Sequence, residues 1–101
     1  RVFSKPVRVG DDYFSVLGQT NQKPFARLGL AIARKHIKKA VGRNRIKRLV
    51  RESFRQHLPL LAGLDIVVTL RGDASRLDNE TIRQSLIKHW HNLITKCEKY
   101  S

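Results

Sequence analysis

The chain has 101 residues, enough for one domain with a modest core. Twenty-one Lys and Arg against eight Asp and Glu leave a formal net charge of +13, while hydrophobic residues make up 41%; this excludes a disordered basic tail and makes a neutralising, polyanionic partner expected. No apolar run approaches the roughly 20 residues of a membrane helix, no signal peptide is visible, and the single cysteine, Cys97, excludes an internal disulfide and a cysteine-based zinc site. A cytoplasmic protein with no membrane contact is expected. The chain starts at Arg1 and contains no Met, so further natural residues are expected ahead of it.

Arg1-Val2-Phe3 reads as the last turn of an element that begins earlier. Gly10-Asp11-Asp12 is a turn signal. Tyr13 to Leu17 is a short strand-like run, and Gly18 to Pro24 is polar and loop-like. In Ala26 to Ala33, Leu28, Leu30 and Ile32 alternate with Arg27, Gly29, Ala31 and Ala33, the period-2 pattern of a strand with one buried face. These two runs are predicted to form an antiparallel pair. A helix is predicted from near Ala40 to about Leu58, stopped by Pro59. Asp65 to Arg71 is a continuous β-branched run, expected of a strand covered on both sides. Gly72 to Arg76 reads as a loop. Asp78 can then cap a last helix through roughly Lys96, with Ile82, Leu86, Trp90, Leu93 and Ile94 as its apolar stripe. Strand, helix, strand at this spacing implies a parallel pair joined by the basic helix. No internal repeat or second domain is visible.

The charge is concentrated. Ten Lys and Arg fall between Arg34 and Arg55, with Glu52 the one acid among them. At about 100° per residue, Ile46, Leu49, Val50, Ser53 and Phe54 share an arc of roughly 140°. Arg43, Lys47, Arg48, Arg51 and Arg55 share a second, with Asn44 near its middle and Arg45 apart on the far flank. Arg43, Lys47, Arg51 and Arg55 stack like charges at i, i+4, each pair costing about 0.2–0.5 kcal/mol. A solvated face would interleave acids; a cationic stripe beside a core stripe is a phosphate-binding face. Arg forks bind phosphate bidentately, and Asn44 adds a donor and an acceptor for a base edge or sugar hydroxyl. Composition does not choose between DNA and RNA.

Arg43-Asn44-Arg45 followed by Ile46-Lys47-Arg48-Leu49-Val50-Arg51-Glu52-Ser53-Phe54-Arg55 closely resembles the signature helix of the bacterial ribonuclease P protein subunit. The resemblance extends over essentially the whole chain. Arg27-Leu28-Gly29-Leu30 and Arg34-Lys35 resemble the strand and basic turn before that helix. Asp65-Ile66-Val67-Val68 resembles the following strand, and Leu77-Asp78-Asn79 with the helix through Trp90 resembles the C-terminal helix. It implies a small single α+β domain over residues 1–101, like the second domain of ribosomal protein S5. It implies a mixed sheet, a left-handed βαβ crossover against the usual preference, and a C-terminal helix. It further implies a subunit of an RNA-dependent endonuclease that removes the 5′ leader from precursor tRNA. The chemistry would lie on a catalytic RNA, with Mg2+ held mainly by that RNA, no organic cofactor and no obligate protein partner; the chain alone would be inactive.

Carried onto this sequence, the resemblance places Arg43, Asn44, Arg45, Lys47, Arg48 and Arg51 against the catalytic RNA. Arg34, Lys35, Lys38 and Lys39, at the start of the helix, extend the phosphate contacts. Phe3 resembles an aromatic bordering the leader cleft. The sheet supports a cleft independently: Arg27, Gly29, Ala31 and Ala33 share one strand face, and three small side chains leave a shallow floor for a single strand. A helix packed there would need the same space. Tyr13 and Ser15 are assigned to the floor with them.

Other signals are set aside. His89-Trp90-His91 on a helix lacks the i, i+4 spacing of metal ligands, and Trp90 reads as core. His57 suits a helix C-terminus. Cys97 reads as inert near a helix end. Arg71-Gly72-Asp73 spells an adhesion tripeptide by chance, Arg71 being better read as an RNA contact at a strand end. Asp11, Asp12 and Asp73 are too scattered for an active site. Two rival readings remain: a non-catalytic ribosomal or RNA-chaperone protein of similar fold, and a DNA-binding regulator using the same helix.

Overall fold

The computed structural model describes residues 6–99. Four strands, β1 (Val7–Gly10), β2 (Phe14–Thr20), β3 (Arg27–Ala31) and β4 (Leu64–Leu70), form one mixed sheet in the order β1-β2-β4-β3. Helix α1 (Ala40–Gln56) connects β3 to β4 and is followed by a single-turn helix α2 (Leu58–Leu61); a 3-10 turn at Ala74–Arg76 precedes α3 (Asn79–Lys99). This is the α+β architecture expected, with its mixed sheet and C-terminal helix.

β3 and β4 run parallel, from Arg27↔Asp65 to Ala31↔Thr69, joined through α1 as predicted. The predicted antiparallel pairing of β2 with β3 is not formed. β4 lies between them, antiparallel to β2 from Phe14↔Leu70 to Thr20↔Leu64. The chain leaves β3, crosses through α1 and returns into the gap, where β4 has both edges hydrogen-bonded and its β-branched run suits a central strand. That central place is lateral only. Burial along β4 alternates and Val67 is 39% exposed, so the strand is not covered on both faces.

β2 also runs past Leu17: Gly18, Gln19 and Thr20 pair with Ile66, Asp65 and Leu64. Gly18 there is a close-approach site and not loop, because a Cβ on it would stand 3.0 Å from both Leu93 methyls. β1 was not expected. It pairs with β2 in a hairpin whose turn is closed by Asp11, the side chain accepting from Tyr13 N and Phe14 N at 2.8 Å each.

The helices are amphipathic as the wheel reading requires. Ile46, Leu49, Val50, Ser53 and Phe54 of α1 are all buried. α1 ends at Gln56, and His57 leaves helical geometry at φ −118; Pro59 sits in the first turn of α2, where its missing N–H is harmless, and does not itself stop α1. Asp78 accepts Thr81 N at 2.8 Å and so caps α3. Ile82, Leu86, Trp90 and Leu93 are fully buried, each contributing about 1.5–3 kcal/mol. Trp90 packs edge-on against Phe54, and its Nε1 donates to Ser53 Oγ at 2.8 Å.

α1 and α3 therefore cover one face of the sheet, carrying Phe14, Val16, Ile66, Val68 and Leu70 into the core. Among the described residues nothing covers the other face.

Candidate nucleic-acid interface

The cationic stripe forms a solvent-facing ridge. Asn44, Arg48 and Arg51 are exposed and Lys47 is half-buried. Arg48 approaches Glu52 only at 4.0 Å, with its side chain 65% exposed, too loose to hold the guanidinium back. Arg34, Lys35, Lys38 and Lys39 are exposed on the segment linking β3 to α1. The first turn of α1 has neither an acid nor a side-chain cap, so its amide N–H groups add to the positive field. A depression of about 380 Å³ lies beside it, lined by Lys35, Lys38, Lys39, His36, Val41 and Asp73 among others. The Ser75 side chain, hydrogen-bonded to the Asp73 carboxylate, holds that carboxyl below its ordinary range.

Two of the signature arginines turn inward. Arg43 Nη1 donates to the carbonyls of Ile37 (3.0 Å) and Lys38 (2.7 Å), bracing the loop before α1. Arg45 donates from Nε to Asn79 Oδ1 at 2.8 Å and from its terminal nitrogens to the carbonyls of Ser75 and Leu77. The far-flank position of Arg45 on the wheel is thus the side facing the start of α3.

The uncovered sheet face is read in rows from the register. Ser15, Thr69 and Ala31 form one; Leu17, Val67 and Gly29 the next; Gln19, Asp65 and Arg27 the last. Ser15, Gly29 and Ala31 thus stand where expected, on one floor. Leu17 and Val67, at its centre, were not singled out, although continuing the alternation from Ser15 finds Leu17. No described helix needs the space above Gly29: a Cβ there would meet Val67 Cγ2 at 3.7 Å and Ile66 O at 3.9 Å, ordinary contacts. Tyr13 sits just before β2, half-buried against the core. Ala33 lies past β3, its carbonyl accepting from His36 N and Ile37 N. Phe3 lies outside the described residues.

Arg27 is on the floor but engaged. It grips Asp65 with Nε–Oδ1 at 2.6 Å and Nη2–Oδ2 at 2.5 Å, and Asn21 Nδ2 adds a third bond to Oδ1 at 3.0 Å. The Arg27 guanidinium, with help from Asn21, lowers the Asp65 carboxyl from 3.8 to about 2. The last row is therefore a neutralised pair rather than a bare carboxylate.

The polar groups set aside above serve the fold. His89 is buried, its Nε2 3.1 Å from Asp11 Oδ2 and 3.2 Å from Ser85 Oγ, which itself donates to Asp11 at 2.8 Å. Both partners meet the same ring nitrogen, and Nδ1 has no partner, so this is a tie from α3 to the hairpin and lacks the relay geometry of a catalytic triad. Burial raises the Asp11 carboxyl, but the bonds from Phe14, Ser85 and Tyr13 bring it below the ordinary value. Arg71 donates to Asp11 O at 3.1 Å. Cys97 is buried, and among the described residues no three His, Cys, Asp or Glu gather as metal ligands.

Fold and charge first define a class: a small α+β protein in which a cationic helix edge stands beside an uncovered, small-residue sheet face. Comparison with known proteins narrows it. The family model described as Ribonuclease P matches residues 1–94. The ribonuclease P protein component of Pectobacterium atrosepticum is 46% identical over 89 residues, 88% of this chain and 75% of that one. That of Nitrosococcus oceani is 43% identical over 97 residues, covering 96% and 82%. The ribonuclease P protein of Thermotoga maritima, solved with 1-(4-fluorophenyl)-2-thiourea, superposes with TM-score 0.75 at 37% identity, covering 86% and 85%. That of Staphylococcus aureus does so with TM-score 0.79 at 31% identity, covering 91% and 84%. The chain belongs to the bacterial ribonuclease P protein family, the protein components of a ribonucleoprotein endoribonuclease.

Proposed function

We propose that the chain partners the RNA subunit of ribonuclease P through the α1 ridge and holds the 5′ leader of precursor tRNA on the open sheet face, promoting 5′ maturation. Asn44, Lys47, Arg48 and Arg51, with Arg34, Lys35, Lys38 and Lys39, meet the phosphates of the catalytic RNA. Arg43 and Arg45 serve the ridge mainly by fixing its N-terminal end. Ser15, Leu17, Gly29, Ala31 and Val67 form the leader floor, with Tyr13 and Arg27 at its ends and Ala33 at its border.

The observation that carries this reading is the space above Gly29, which the described fold leaves unused although a Cβ would fit. Small residues on a strand face that nothing packs against suit a visiting single strand.

Mg2+ belongs to the RNA subunit, and the protein raises its affinity there indirectly by screening phosphates. No described helix is long and apolar enough to cross a membrane, and the cytoplasm is the compartment proposed.

The test is precursor tRNA cleavage with the RNA subunit alone, the chain alone and both. Both together should cut best at limiting Mg2+, and the chain alone should not cut. Cleavage by the chain alone would overturn the division of labour; a chain that fails to improve the RNA subunit would overturn its role.

A further inference from the structure

Phe25, on the loop between β2 and β3, is 52% exposed. One exposed apolar side chain is ordinary on a protein surface; the bracing behind this one is unusual. Its carbonyl accepts from Asn21 Nδ2 at 3.0 Å and from Gly63 N at 3.3 Å. Asn21 Oδ1 accepts from Lys23 N at 2.8 Å, and Asn21 N donates to Gly63 O at 2.9 Å. Gln22 is held at φ 58, a region a non-glycine residue enters only when its surroundings impose it. Ala26 packs against the core, and Phe25 and Arg27 on either side of it remain exposed.

The brace also reaches the floor. The same Asn21 Nδ2 that holds Phe25 O donates to Asp65 Oδ1, the carboxylate gripped by Arg27. One amide thus couples the loop aromatic to the last row of the sheet face. Lys23, two residues before Phe25, is exposed, and on a chain of net charge +13 it opposes docking of a second copy while attracting a polyanion.

We propose that Phe25 is a stacking platform for one nucleobase of single-stranded RNA as it passes the Arg27–Asp65 end of the floor, with Lys23 meeting a neighbouring phosphate. This rests on the leader reading above and adds a subsite to it. Stacking on an aromatic ring accepts any base, since every base has a π face. A ring on a pre-braced backbone loses little freedom on binding.

The test uses the full chain reconstituted with the RNA subunit, and precursor tRNAs carrying one abasic nucleotide at successive leader positions. Phe25→Ala should weaken precursor binding roughly 5- to 150-fold, the range for one base–aromatic stack, with no change in melting temperature. Phe25→Trp should retain binding. One abasic position should weaken the native protein and have no further effect on Phe25→Ala. Gly29→Leu, which blocks the floor, is the parallel arm. If Gly29→Leu weakens binding but Phe25→Ala does not, or its effect adds to every abasic site, the Phe25 subsite is wrong and the floor stands. If neither variant matters, the leader reading fails as well. If light scattering shows the free chain self-associating through Phe25, the surface serves a second copy and the proposal is overturned.

Discussion

Arg45 and Asn79 lie 34 positions apart, yet Arg45 Nε stands 2.8 Å from Asn79 Oδ1. With its further bonds to the Ser75 and Leu77 carbonyls, Arg45 ties the ridge helix to the beginning of α3. Arg45→Ala should therefore cost about 1–3 kcal/mol of folding stability, since it strips a charged donor from three half-buried acceptors. Arg51→Ala, at an exposed position, should stay within about 0.5 kcal/mol. Urea unfolding of the two variants separates them; equal losses would remove the structural role.

For RNA binding the order should reverse. Arg48→Ala and Arg51→Ala should each weaken affinity for the RNA subunit and lower the slope of log Kd against log salt by about 1. If six or more phosphates are neutralised, the native protein should lose about 10³-fold in affinity between 50 and 200 mM salt. A flat salt response would remove the phosphate ridge.

Gly29 and Gly18 make a paired test, lying on opposite faces of the sheet. Gly18→Ala places a Cβ 3.0 Å from the Leu93 methyls and should destabilise by about 1–3 kcal/mol, the overpacking range. Gly29→Ala should be neutral or stabilising by about 0.5–1 kcal/mol, because its Cβ meets nothing closer than 3.7 Å and restricts the unfolded chain. A thermal melt in which Gly29→Ala is the more damaging would mean that an undescribed element packs on the floor.

Ser53→Ala should cost about 1–3 kcal/mol despite removing a single atom, because it leaves the buried Trp90 Nε1 without its acceptor. Tryptophan fluorescence should move with the loss of that bond. An unchanged spectrum and stability would mean that another acceptor replaces Ser53.

Acid sensitivity should carry the mark of Asp65. Its folded-state carboxyl sits at about 2 against an ordinary 3.8, through Arg27 first and Asn21 second. Because the folded form binds the proton less readily, the clamp's stabilisation is complete above the ordinary value and is lost as pH falls through the interval toward about 2. Asp65→Asn should lower melting temperature at neutral pH and flatten its fall in that interval. Some acid sensitivity should persist, since the Asp11, Asp73 and Asp78 carboxyls are also lowered. A variant whose acid profile parallels the native one would show that the pair is not formed in solution.

Much of the site was legible before any coordinates. The core stripe of α1, the Asp78 cap, the stripe of α3 and the small-residue face of β3 are all repeats within a few turns or a few alternations, and such patterns depend only on neighbours in sequence. Where the reading ran out, the partner lay far away. Val7 and Val9 of β1 alternate over too few residues to announce a strand without β2 beside it. Gly18, Gln19 and Thr20 look like loop until β4 supplies their ladder.

What the amino-acid order determined by itself was the ridge: from Arg43 to Arg55 the cations and the apolar residues recur with a 3.6-residue period that admits one amphipathic helix, and its helical phase follows from geometry alone. Only the tertiary structure decided that β4 divides β2 from β3, that one sheet face stays open, and that Arg43 and Arg45 turn to backbone carbonyls while Arg48 and Arg51 do not. Strand order and the targets of long side chains are set by which groups come within about 3 Å once distant segments pack, and no local pattern records that.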